Sequence, residues 1–158
     1  MKTIHINKMV YGNRELHCEF ASLHRQDVAP EIIQMQGYQF QLAHPTHFVE
    51  QIKWSTNLYL HGGETFLLLY ILDQIPGWKE ALEGKVICAY SAGVSALARY
   101  SYNGDHMVLV QGTGVLPFNT IVHYDNRKWW MADDMEKQFP DIPLVLVGDD
   151  DKFTMRLP

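Results

Sequence analysis

Ser91, in the run Ala89-Tyr90-Ser91-Ala92-Gly93, has the setting of a nucleophile: an apolar stretch precedes it and small residues follow. A serine in a tight turn between strand and helix is held clear of the sheet, with helix amides pointing towards its oxygen. Serine alone is a poor nucleophile at neutral pH and needs a base, for which histidine has the suitable unperturbed pKa. His123 fits that role, following the apolar pair Ile121-Val122 and standing 32 residues beyond the serine. A carboxylate must then orient the imidazole. Asp105, in the polar turn Asn103-Gly104-Asp105, lies between the two and is the first candidate; Asp125, Asp149, Asp150 and Asp151 are the alternatives. The last three form an acidic cluster after a terminal apolar run, where solvated turns are the ordinary expectation. An oxyanion needs preorganised donors, and the amide of Ala92 with that of Gly62 or Gly63 would supply them. The chemistry this predicts is acyl transfer.

These residues require strands and helices to present them. Asn57-Leu58-Tyr59-Leu60 reads as a short buried strand ending at His61-Gly62-Gly63, and Glu64 to Leu72 is apolar enough for a buried helix. Lys85 to Tyr90 reads as a strand buried on both faces, and Ala92 to Ala98 as a helix of small residues able to pack close to a sheet. Two strand-turn-helix units with right-handed crossovers predict an α/β fold with an open, mostly parallel sheet flanked by helices in three layers. In such a sheet ligands bind beyond the carboxyl ends of the strands, where Gly62, Gly63 and Ser91 would meet. Elsewhere, Thr46 is expected to cap a helix carrying Phe48, Val49, Ile52 and Trp54. Trp78 to Leu82 and Trp129 to Phe139 read as helices. Met107 to Val110, Ile121-Val122 and Pro143 to Val147 read as strands. The first 45 residues are less legible: Lys2 to Val10 suits a strand, Glu15 to Leu23 a strand or short helix, and Pro30 to Tyr38 shows no decisive period. Trp129-Trp130 is expected in the core.

Three segments resemble the dipeptidase E and cyanophycinase group of serine peptidases, whose fold is that of class I glutamine amidotransferases. His61-Gly62-Gly63-Glu64-Thr65-Phe66 is similar to the group's Gly-Gly-Asn-Thr-Phe segment, and Tyr90-Ser91-Ala92-Gly93 to its Ser-Ala-Gly nucleophile turn. Thr113-Gly114-Val115-Leu116-Pro117 through His123-Tyr124 resembles the stretch that runs into the catalytic histidine. The distance from Ser91 to Asp105 is also close to that of the dipeptidase aspartate. The resemblance covers roughly residues 45 to 155 and implies a serine-type peptidase or amidase, with Ser91, His123 and Asp105 as its triad and small peptides as its substrates. Ala89 replaces the first glycine of the usual turn, Glu64 stands where the group often has Asn, and the N-terminal part is reduced or divergent.

The whole chain bounds these readings. Its 158 residues, 47% hydrophobic and 20% charged, suit one globular domain over 1–158. A net charge of −5 without Lys or Arg runs gives no footprint for nucleic acid or an anionic membrane. A small peptide or amide is therefore the expected partner, with a homodimer covering any apolar surface left by the short N-terminal region. Cys18 and Cys88 read as reduced, buried thiols, and no secretory leader or membrane span is evident, so a cytoplasmic setting is expected. His44 and His47 are three apart but lack a Cys or Glu partner; the remaining histidines show no zinc-like spacing, and neither metal nor cofactor is expected. The competing reading is a catalytically silent binding or assembly module that keeps the fold. Glutamine amidotransfer is weaker, because that chemistry in this fold uses a Cys where this chain has Ser91.

Overall fold

The computed structural model describes residues 1–22, 39–103 and 106–158. Its main sheet has six strands in the order β10-β1-β5-β4-β2-β3, formed by Phe153–Leu157, Lys2–Ile6, Val86–Ala89, Asn57–Leu60, Arg14–Cys18 and Gln39–Leu42. All neighbours are parallel except β10, which pairs antiparallel with β1. A second sheet, β7-β6-β8-β9, comprises Val108–Gln111, Tyr100–Asn103, Asn119–Val122 and Leu144–Val147; β6, β8 and β9 are parallel and β7 is antiparallel. With helices against the sheets this is a three-layer α/β fold with mostly parallel strands, as expected.

Strand alternation explains the core. Ile4, Leu16, Leu58 and Ile87 lie in register across β1, β2, β4 and β5, and with Ile6, Cys18, Leu60 and Ala89 they make one apolar face. That face is buried with Phe48 and Ile52 of α1 (Phe48–Trp54) and Leu68 and Leu72 of α2 (Thr65–Asp73). Burying each such side chain stabilises the fold by about 1.5–3 kcal/mol. The opposite face carries Glu15, His17, Asn57, Tyr59 and Cys88, all buried and mostly polar. Helix α3 (Trp78–Ala81) precedes β5, and α4 (Ala92–Leu97) follows it, packing against β4 and β5 of one sheet and β6 and β8 of the other. Helix α5 (Trp129–Gln138) buries Met131 and Met135 with Ile121 and Tyr102 in a smaller core.

Several expectations are refined. The first 45 residues contribute three strands, including β1 beside the central β5, and Glu15 to Cys18 is strand rather than helix. Thr46 does not cap α1: a 3-10 turn over Pro45–His47 comes first, its amide at Thr46 held by the His44 side chain. Strands β6 and β10 had no legible signal, because their polar and apolar residues are too evenly mixed over four or five positions. Trp129 is 64% exposed and Trp130 38%, so the pair is surface, not core. The period of Pro30 to Tyr38 lies outside the described residues, except for its continuation into β3. Cys18 and Cys88 are free and buried. Among the described residues no helix is long and apolar enough to cross a membrane.

Candidate active site

The carboxyl ends of β4, β5, β8 and β9 converge on one place. At the end of β5 the chain turns through Ser91 with φ 46° and ψ −111°, a left-handed conformation rare for a non-glycine residue. Such a conformation costs on the order of 1–3 kcal/mol and persists only where the surroundings impose it. Tight packing of α4 does so here: a Cβ on Gly93 would lie 2.5 Å from the Leu60 carbonyl oxygen, so only glycine lets the helix sit this close to β4. The amides of Gly93 and Val94 bond the carbonyls of Tyr90 and Ser91, closing the turn.

At the end of β4 the turn His61-Gly62-Gly63 meets the serine. A Cβ on Gly62 would come within 3.2 Å of Ser91 Cβ and 3.7 Å of its Oγ. Gly63 has φ 137°, and a Cβ there would overlap the Ala21 carbonyl at 2.4 Å. Among the described residues, no protein acceptor meets the amides of Gly62, Gly63 or Ala92. Unengaged backbone donors beside a serine oxygen are what an oxyanion requires.

Ser91 Oγ lies 2.8 Å from His123 Nε2, and His123 Nδ1 lies 2.5 Å from Asp149 Oδ1. The second contact follows from register. Val122 pairs with Val147 across parallel β8 and β9, so the residues just past each strand, His123 and Gly148-Asp149, emerge side by side. His123 itself takes φ 52°, which turns the chain sharply as β8 ends. The bond from the Tyr124 amide to the Val147 carbonyl at 3.0 Å ties the two strand ends. Lys128 donates its ammonium to the His123 carbonyl. The imidazole and carboxylate are open to solvent, with 56% and 75% of their side chains exposed.

A cleft of about 210 Å³ opens over these groups, lined by Gly63, Thr65, Ser91, Ser95, Tyr102, Asn103, Val122, His123 and Lys128. At its edge the Glu64 carboxylate accepts from the Phe66 amide, capping α2, and from Asn103 Nδ2 and His106 Nε2 at 3.1 and 3.2 Å. The Phe66 amide, then His106 and Asn103, hold the Glu64 carboxyl below its usual range. Glu64 thus braces the Gly62-Gly63 turn against the second sheet. A larger groove of about 720 Å³ between α2, α3 and the Gln111-Gly112-Thr113 segment contains none of these residues.

Ser91, His123, Gly62, Gly63 and Ala92, singled out in the sequence, are brought together. Asp105 lies outside the described residues, and the carboxylate on His123 Nδ1 is Asp149. Of the alternatives, Asp125 caps the turn after His123 and pairs with Arg127, while Asp151 accepts from the Gly148 amide. Asp149 had a weak sequence signal, its place one residue past a terminal apolar strand; Ser95, Tyr102 and Lys128 had none. No group of three metal-ligating side chains occurs among the described residues.

Among solved structures, the chain is similar to a "Putative Peptidase E Protein" from Listeria monocytogenes EGD-e, known from a 1.5 Å crystal structure. The TM-score is 0.63, over 100% of both chains, at 15% sequence identity. The likeness is one of fold. No family model and no curated protein matches the sequence.

Proposed function

We propose that this chain is a serine-type peptidase or amidase, and the observation that carries the reading is the Ser91–His123–Asp149 chain of contacts facing the Gly62-Gly63 turn. His123 Nε2 takes the Ser91 proton as Oγ attacks a peptide or amide carbonyl. Asp149 accepts the His123 Nδ1 proton's hydrogen bond, selecting the tautomer whose Nε2 lone pair faces the serine. The tetrahedral oxyanion is met by the amides of Ala92 and of Gly62 or Gly63. His123 then returns the proton to the leaving amine, and water, deprotonated by the same nitrogen, releases the acyl group as a carboxylic acid. Small peptides, such as dipeptides, are the substrates favoured by the size of the cleft and by the likeness to the Listeria peptidase E protein.

A fluorophosphonate is the direct test, since it requires the nucleophile, the base and the oxyanion donors together. Wild-type protein should be labelled at Ser91, with Ser91→Ala unlabelled and His123→Ala strongly slowed. Failure to label folded wild type would leave a fold-retaining binding module as the better description. Release of amino acids from a dipeptide library then reads the substrate class.

A further inference from the structure

Behind the Gly62-Gly63 turn, on the polar face of the main sheet, a connected set of side chains, all buried except the half-buried His61, takes no part in the steps above. Glu15 and His17 project from one face of β2, opposite Asn57 and Tyr59 of β4. Glu15 is 0% exposed and His17 1%. Glu15 Oε1 accepts from the Gly12 amide at 3.2 Å and faces the Tyr59 hydroxyl at 3.3 Å, a hydroxyl that also donates to the Val10 carbonyl at 2.6 Å. Glu15 Oε2 lies 3.4 Å from His17 Nε2, and His17 Nδ1 lies 2.8 Å from His61 Nε2. The His17 ring is stacked on Tyr59, centroids 4.3 Å apart and planes at 7°. The titratable groups facing the set are Glu15 and His17 from β2, Tyr59 and His61 at β4, and Cys88 from β5; β3 adds the apolar ring of Phe40.

Proton direction along this chain follows from donor and acceptor capacity. Burial pushes both imidazoles down to about 4, so both are neutral at pH 7. Burial raises the Glu15 carboxyl, and in its ionised form it only accepts, so that His17 then carries its proton on Nε2 and offers the Nδ1 lone pair to His61 Nε2–H. His61 immediately precedes Gly62, and the same turn has two further ties to the end of β2: its own amide to the Cys18 carbonyl at 3.1 Å and the Glu64 amide to the Ala21 carbonyl at 2.7 Å.

We propose that Glu15, His17 and His61 form a positioning relay for the oxyanion turn: Glu15 sets the His17 tautomer, and His17 anchors the His61 ring so that the Gly62 and Gly63 amides stay aimed at the Ser91 site. The relay rests on the serine-nucleophile reading. None of its members touches the reacting atoms. Their contribution is to keep two backbone donors from reorganising when the oxyanion forms, which is where such donors gain their strength.

Glu15→Gln tests it with nearly unchanged shape. The Gly12 amide, which can only donate, holds the new amide's oxygen, leaving its NH₂ towards His17 Nε2. That reverses the chain, so His17 must donate from Nδ1 and His61 must move its proton to Nδ1. The readouts are the histidine tautomers from nitrogen NMR and the fluorophosphonate kinetics separated into kinact and KI. Expected are a His61 Nε2–H tautomer in wild type at pH 7, its inversion in Glu15→Gln, and kinact lower by about tenfold with KI unchanged, less than the roughly 10²–10³ lost with a whole oxyanion donor. A wild-type His61 protonated on Nδ1, or charged, at pH 7 overturns the relay even if the variant does not fold. So does a Glu15→Gln protein with inverted tautomers and kinact within twofold of wild type, or one slowed without inversion. Absence of Ser91 labelling in wild type overturns the function proposed above and the relay with it; labelling that Ser91→Ala abolishes isolates the relay as the part under test.

Discussion

On the proposed mechanism, Asp149→Asn should slow acylation while leaving the fold intact. The carboxylate is three-quarters exposed, so its loss removes no core contact and should leave the thermal midpoint nearly unmoved. What it removes is the negative charge 2.5 Å from His123 Nδ1, at the moment the imidazole becomes a cation. With both charges delocalised over their groups, their centres are about 4 Å apart, an attraction of about 1 kcal/mol in bulk water and about 4 kcal/mol at an effective permittivity of 20. Exposure of both groups puts the pair towards the lower figure, roughly 1.4–2.7 kcal/mol, or a ten- to hundredfold slower acylation. The loss is smaller than for a buried triad carboxylate, whose amide substitution costs about 10⁴. The assay is the pseudo-first-order rate of fluorophosphonate labelling at saturating reagent, with melting curves as control. A folded Asp149→Asn protein that reacts within twofold of wild type refutes the assignment. Asp105→Asn and Asp151→Asn should react like wild type; a collapse of the rate in Asp105→Asn instead would transfer the orienting role to that residue.

Gly62→Ala should slow labelling by at least tenfold with little change in melting, because the new methyl sits 3.2 Å from Ser91 Cβ while the backbone conformation tolerates a side chain; equal rates would remove Gly62 from the oxyanion site. Gly93→Ala should act on stability, since the added Cβ meets Leu60 carbonyl oxygen at 2.5 Å and Leu60 Cβ at 2.8 Å, both hard to displace. Overpacking of this kind costs about 1–3 kcal/mol, read as a melting midpoint lower by roughly 3–10 °C; an unchanged midpoint would mean that α4 can move away from β4. Stability should also fall as pH drops from about 6.5 towards 4. His17 and His61, held down to about 4, and His5, also lowered by burial, stay neutral in the fold while the unfolded chain takes up protons. Glu15 acts oppositely, its raised value removing stability as pH rises above the unfolded carboxyl range, but it is one group against three. Urea midpoints at pH 7 and pH 5 check the sign, and a higher midpoint at pH 5 would contradict it.

The Ser91 turn and its neighbours were legible in the sequence because local chemistry marks them. An apolar run followed by Ser-Ala-Gly, a Gly-Gly pair after a four-residue apolar strand, and a histidine after Ile-Val each record a backbone requirement within a few residues. The same holds for β5 and β9, whose residues are apolar without interruption. Strand β6 escaped because Tyr100-Ser101-Tyr102-Asn103 mixes polar and apolar residues although it is mostly buried, and β10 because it is a half-exposed edge strand.

Distance in sequence separated the rest. Asp149 follows its strand much as Asp105 follows Gly104, and nothing local distinguishes an acidic turn in solvent from one beside an imidazole. The pairing of Val122 with Val147 makes the difference, and strand register is a property of the assembled sheet. His17 and His61 likewise read as two unrelated histidines, 44 residues apart, until β2 and β4 pair and bring the two rings within hydrogen-bond distance. The sequence by itself determined which turns stand at strand ends, which side chain each presents and where the chain needs glycine, since these are demands of the local backbone. Which carboxylate lies beside His123, and which side chains back the Gly62-Gly63 turn, only the tertiary structure decided, because hydrogen bonds act over about 3 Å and the chain alone does not say what will lie within that distance.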